Sequence, residues 1–230
     1  MGYNKKNTTI ILIMTIVSVL GLSIAFAAFS STLTISSSAN VTPDSGSFKV
    51  AFSSSSTSLV TNKITPTTTG KATGKAATIS GTTISGLSAN LTKPGDSVTY
   101  TFYAYNAGSY EAFLDYAAGK LGNATGATTF KKCTANSGTT ASLVASACND
   151  INLYLTVNGI KNNGDDGKIG DRIYFTGDGT RSYRLSKGKT HPVVLTIKYE
   201  SSSTNLADGP FTVALGDITI QYTTINEFGY

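Results

Sequence analysis

The stretch Lys93-Pro94-Gly95-Asp96-Ser97-Val98-Thr99-Tyr100-Thr101-Phe102-Tyr103-Ala104-Tyr105-Asn106-Ala107-Gly108-Ser109 decides the fold class. Pro94 presets φ for a turn, and Gly95 accepts the positive φ that a type II turn requires. Strict alternation follows. Val98, Tyr100, Phe102 and Ala104 face one way, and Thr99, Thr101, Tyr103 and Tyr105 face the other. A period of two in β-branched and aromatic residues marks a half-buried strand. Asn106 to Ser109 closes it with turn residues.

The same unit recurs along the chain. Phe48, Val50 and Phe52 alternate, as do Ile151, Leu153, Leu155 and Val157 ahead of the turn pair Asn158-Gly159, and Val193, Leu195, Ile197 and Tyr199. Ala76 to Leu87 predicts a hairpin with Gly81 in its turn, and residues 173–175 and 182–185 are shorter strand candidates. Residues 110–118 fit a strand or a short helix equally well. Residues 211–215 and 218–224 read as one long or bulged terminal strand. Two stretches read as loops: the Ser/Thr/Gly-rich 53–75, with Leu59, Val60 and Ile64 as anchors, and 119–138 around Thr128 to Lys132. About ten short strands bounded by turn residues, and no long helix among them, predict an all-β antiparallel sandwich.

The 230 residues, about 200 of them beyond the N-terminal segment, suit one domain of ordinary size. Only 13% of the residues are charged and the net charge is +5. The lysines are scattered, as at Lys71, Lys75, Lys131, Lys132, Lys187 and Lys189, and no basic face sits beside stacking aromatics. That excludes nucleic acid as a partner. A single histidine, His191 beside Pro192, excludes the usual triads, and there is no zinc helix or phosphate-cradling loop. The chain is therefore not expected to be an enzyme or to carry a cofactor. A carboxylate pair for glycoside hydrolysis stays open as an alternative, although most aspartates stand in predicted turns. Asp165, Asp166 and Asp171 crowd one loop, and calcium is an alternative there because closely spaced oxygens suit that ion. Their spacing matches no EF-hand, and turn chemistry accounts for the same residues.

Met1 to Lys6 is basic, and residues 10–29 carry no charge, which is just long enough to span a bilayer as a helix. Ala25, Ala27 and Ala28, ahead of Phe29, supply the small residues that signal peptidase reads. Two readings stand: a cleaved export signal, or a retained anchor that meets the membrane through residues 10–29. Either way the remainder is exported, to the extracellular matrix or the cell surface. In that compartment Cys133 and Cys148, the only cysteines, are most simply a disulfide. Closing a loop of about 15 residues contributes about 3 kcal/mol in the chain-entropy treatment. The bridge would staple a small, polar surface excursion.

The junction Ala27-Ala28-Phe29-Ser30, the alternating strand behind it, and Leu91-Thr92-Lys93-Pro94-Gly95-Asp96 leading through Phe102 to Asn106-Ala107-Gly108-Ser109 resemble the TasA/camelysin family. The resemblance covers residues 29–116 by motif and the rest by strand pattern. The Pro-Gly-Asp strand and its closing turn also resemble immunoglobulin-like surface repeats. The family resemblance implies a jelly-roll-like sandwich and a secreted, biofilm-matrix fibre subunit. Camelysins are also described as proteases, an activity for which no catalytic set is present here. The cysteine pair and the insert at 53–75 have no counterpart in the family pattern.

The expected organisation is a signal or anchor helix at 1–28, an N-terminal strand at 29–42 and a β-sandwich at 43–230. Leu33, Ile35, Ala39 and Val41 share one face of that first strand, and Pro43 to Gly46 follows as a swivel. It is either the domain's own first strand or a donor that fills a groove in the next subunit, giving a head-to-tail homopolymer. The alternative function is a monomeric surface module that binds glycan or protein.

Overall fold

The computed structural model describes residues 30–35, 48–114, 119–120, 131–161, 172–173, 184–215 and 218–224. The chain divides into two compact units, Met1–Ser30 and Ser31–Tyr230. The strands are β1 (Ser30–Ile35), β2 (Val50–Ser53), β3 (Lys63–Ile64), β4 (Thr67–Thr69), β5 (Thr73–Gly74), β6 (Ala77–Ser80), β7 (Thr83–Ser85), β8 (Ser88–Leu91), β9 (Ser97–Asn106) and β10 (Ala112–Leu114). There follow β11 (Gly119–Lys120), β12 (Lys131–Ala135), the helix α1 (Ala141–Cys148), β13 (Ile151–Val157), β14 (Ile160–Lys161) and β15 (Arg172–Ile173). The last are β16 (Arg184–Leu185), β17 (Thr190–Tyr199), β18 (Phe211–Leu215) and β19 (Ile218–Thr223). The protein is all-β in class, with several antiparallel sheets.

β9 behaves as its sequence predicts. Val98, Tyr100, Phe102, Ala104 and Asn106 are buried, and the residues between them are not. The Asp96 N–H donates to the Lys93 carbonyl at 3.1 Å, and Gly95 has φ +92, so the Pro94-Gly95 turn starts the strand in the expected way. β9 then pairs antiparallel with β17 from Thr190↔Tyr105 to Lys198↔Ser97. β13 pairs on the far side of β17, from Ile151↔Tyr199 to Val157↔Val193. With β14, β2 and β4 these form a six-stranded sheet. At its end Asn158 and Gly159 both take positive φ, which suits the Val157↔Ile160 hairpin.

A four-stranded sheet runs β12-β18-β8-β5, and a seven-stranded one runs β16-β10-β19-β1-β7-β6-β3. β11 and β15 form a separate pair. Inward side chains of the three larger sheets merge in one core. Phe52 meets Phe102 edge-on at 5.3 Å within the six-stranded sheet, and Tyr199 meets Phe211 at 5.7 Å between it and the four-stranded sheet. Tyr100 is fully buried, and its hydroxyl donates to the Ser88 or Lys75 carbonyl (2.7 and 2.8 Å). Burial of such a ring is stabilising only because its polar end finds partners.

Asp96 has the same role at the other end of β9. It is fully buried, and its carboxylate accepts the backbone N–H of Lys71, Thr92 and Lys93 at 2.8, 2.8 and 3.1 Å. Gly70 makes room for it: a Cβ there would lie 2.3 Å from Asp96 Oδ1, and the backbone has φ +73. Asn106 closes the strand by donating to the Tyr110 and Leu185 carbonyls and accepting from the Gly108 N–H.

Four expectations are corrected. Residues 211–215 and 218–223 are not one terminal strand: β18 belongs to the four-stranded sheet and β19 to the seven-stranded sheet. The buried positions change parity between them, from Phe211, Val213 and Leu215 to Ile220 and Tyr222, and that break in phase marks the change of sheet. Residues 131–135, expected as part of a loop, form β12 on the edge of β18. The stretch 53–75 holds the short strands β3, β4 and β5, and of its three supposed anchors Ile64 is buried while Leu59 is exposed. The excursion between the cysteines contains the helix α1, with Val144 and Ala147 buried. Two buried residues one turn apart are too small an apolar face to stand out in a Ser/Ala/Thr-rich stretch. Among the described residues no helix is long and apolar enough to cross a membrane.

Candidate functional site

The feature that sets this fold apart from a plain meander is the position of β1. It lies between β7 and β19 in the seven-stranded sheet. Its pairing with β7 is parallel, with Thr34↔Thr83 and Ile35↔Ile84 in register, while β10 with β16, β10 with β19, β3 with β6 and β6 with β7 are antiparallel. Parallel neighbours require a crossover in the chain, and here residues 36–82 separate the two. The first described strand therefore occupies a central slot walled by β7 and by the last described strand, β19.

The slot has an apolar lining. On the β7 side, Ile84 is fully buried and Ile79 on β6 is nearly so. On the β19 side, Ile220 and Tyr222 are fully buried, next to Ala112 and Leu114 of β10. Leu33 and Ile35 are carried by β1 itself. Ala39 and Val41, the rest of the expected donor face, lie outside the described residues, as do Ala25, Ala27, Ala28 and Phe29 of the expected cleavage region, the apolar segment 10–29, and Asp165, Asp166 and Asp171. Among the described residues no group of three or more acidic, histidine or cysteine side chains is arranged to hold a metal ion.

Behind the β19 wall stands a polar node that the sequence reading missed. His191, on β17, is buried, and its Nε2 lies 3.1 Å from the Arg184 carbonyl of β16. A carbonyl only accepts, so Nε2 carries the proton and Nδ1 of the neutral ring is the acceptor. Tyr222 Oη, 3.1 Å away, therefore donates to Nδ1. Burial pushes His191 down to about 4 and pushes Tyr222 up. Both groups are uncharged at neutral pH, and they tie the six-stranded sheet to the strand that walls the slot. A lone histidine beside a proline carries no sequence signal of this role.

Cys133 on β12 and Cys148 at the end of α1 are bonded, with Cα atoms 6.0 Å apart. The helix start is held from a distance, because Asp208 accepts the Thr140 backbone N–H at 2.9 Å and the Thr140 hydroxyl. Bridge and cap together press α1 against the edge of the four-stranded sheet, away from the slot. Comparison with family models, with curated proteins and with solved structures finds no match to this chain.

Proposed function

We propose that this protein is an exported structural subunit that polymerises by exchanging its N-terminal strand between neighbours. The observation that carries the reading is the placement of β1, a terminal strand filling a slot between β7 and β19. Withdrawing that strand leaves two facing strand edges with unpaired N–H and C=O groups and an apolar floor. Unpaired edges are templates for another strand, and the same segment of a second copy satisfies both at once. Such a contact joins different surfaces on the two partners, so when each copy passes its strand on to the next it propagates as a filament.

The energetics permit this. Burying Leu33, Ile35 and Val41 contributes about 5–9 kcal/mol before ordering costs, and each backbone hydrogen bond adds about 0.5–1.5 kcal/mol. In one chain or between two, the slot gains the same contacts, so exchange is governed by concentration and by how the segment after β1 is joined to the domain. The likeness of residues 29–116 to the TasA/camelysin family supports the same reading, including secretion through the N-terminal segment and a jelly-roll-like sandwich as the domain fold.

The test is electron microscopy of the full chain beside a chain lacking residues 29–41. Filaments are expected from the first and a folded, non-polymerising β-domain from the second, with assembly restored at the free slot by a peptide-extended copy. Persistent monomers of the full chain, or filaments from the truncated one, would sink the proposal.

A further inference from the structure

A cleft of about 290 Å³ opens at the end of the β13–β17 ladder, remote in sequence from β1. Asn149, Asp150 and Asn152 line it where α1 runs into β13, and Glu200, Ser203 and Asn205 line it from the turn after β17. The two sides are joined by the Glu200 N–H, which donates to the Asp150 carbonyl at 3.1 Å. Every one of these side chains is polar, and little of the lining is apolar.

Internal bonds fix their directions. Asp150 Oδ2 accepts from Ser203 Oγ at 2.5 Å and Asn205 Nδ2 at 2.9 Å. Glu200 Oε1 accepts from Asn152 Nδ2 at 3.0 Å and from the Tyr154 hydroxyl, and Oε2 pairs with Lys198 Nζ at 2.9 Å. The bonds from Ser203 and Asn205, with Lys131 nearby, hold the Asp150 carboxyl below its usual range. Burial pushes Glu200 up, but the bonds from Lys198, Tyr154 and Asn152 outweigh it and the net shift is down. Both carboxylates are therefore ionised at neutral pH, and each has a lysine beside it.

We propose that this cleft binds a neutral, polyhydroxylated saccharide, as a short stretch of a longer chain passing through it. An apolar ligand would strand the amides and hydroxyls of the walls without hydrogen-bond partners. An anion would meet two carboxylates. A divalent cation would find both carboxylates already engaged by ammonium, amide and hydroxyl donors. A saccharide carries closely spaced hydroxyls that both donate and accept, with ether oxygens that accept, so it replaces the water of such a site bond for bond. The fixed geometry lowers the ordering cost on the protein side. Binding here is independent of polymerisation, since the slot and the cleft are built from different strands.

The full chain, labelled with nitrogen-15, is titrated with maltohexaose, cellohexaose and a β-1,3-glucan hexamer, and with polygalacturonate and calcium chloride as charged counterparts. A neutral oligosaccharide is expected to shift the side-chain amide signals of Asn149, Asn152 and Asn205. Ser202→Trp, at an exposed position on the rim, is expected to weaken that binding at least about tenfold with the melting temperature unchanged. Thr204→Trp on the same rim replaces it should S202W fail to fold. The inference is overturned if no neutral probe moves these signals, if a charged probe binds more tightly than every neutral one, or if the folded rim variant binds as the parent does. Filament formation bears on none of these outcomes.

Discussion

The β9–β17–β13 ladder and the slot around β1 are made from the same kind of alternating residues, yet they are held very differently. β9 and β17 share nine registered antiparallel pairs, from Thr190↔Tyr105 to Lys198↔Ser97. β1 and β7 share two, in parallel. The long ladder buries one continuous face, and a slip by one residue would turn all of it to the solvent. In the proposed exchange, an identical strand from a second copy would remake in the slot the contacts that the released β1 gives up. The two regions thus differ in the length of registered pairing and not in residue type.

The sharpest way to break the comparison is to weaken the ladder itself. Phe102→Ala removes a fully buried ring that packs edge-on against Phe52, and a loss of about 3–5 kcal/mol is expected. Urea denaturation measures it. A change below about 1 kcal/mol would mean that the ladder is not the stabilising centre of the domain.

Acid acts on the link between the two regions. His191 titrates near 4 in the folded chain and near 6.5 when exposed. The unfolded chain therefore takes the proton first. Its contribution is fully present above about pH 6.5, falls as the pH drops toward 4, and is flat below that; the total is about 3 kcal/mol. Denaturation midpoints measured from pH 7 to pH 4 should show this slope in the parent and lose it in His191→Gln. A slope of equal size in both would place the titration elsewhere.

The disulfide belongs to neither region, so its removal sharpens the contrast. Replacing both cysteines, Cys133→Ser with Cys148→Ser, should lower stability by about 2–4 kcal/mol and leave assembly intact. Loss of filaments in a variant that still melts cooperatively would show that α1 and β12 take part in the joint. Smallest is Gly95→Ala. The added methyl meets nothing within 4 Å, but φ is +92, so the expected loss is about 1 kcal/mol from backbone strain alone. A thermal melt of the variant reads it.

Much of the ladder was legible because period and punctuation are local. Val98 to Ala104 and Ile151 to Val157 alternate without interruption, and Pro94-Gly95, Gly81 and Asn158-Gly159 stand where the chain reverses. The site was legible only in part. Leu33 and Ile35 marked a strand, but nothing in them named β7 and β19 as neighbours. His191, Tyr222 and Asp96 were passed over because a buried polar group is recognised by its partners, which come from distant segments.

The sequence by itself determined which side chains turn inward and where the chain turns, since both depend on a few adjacent residues. Tertiary structure alone decided which strands are neighbours. β18 and β19 follow one another after only two residues and still join different sheets, and β1 enters the centre of a sheet and not its edge. Alternation fixes the side a residue faces but is the same for every candidate partner. The choice among partners is made by the core that all three sheets must fill together, where packing leaves room for one arrangement.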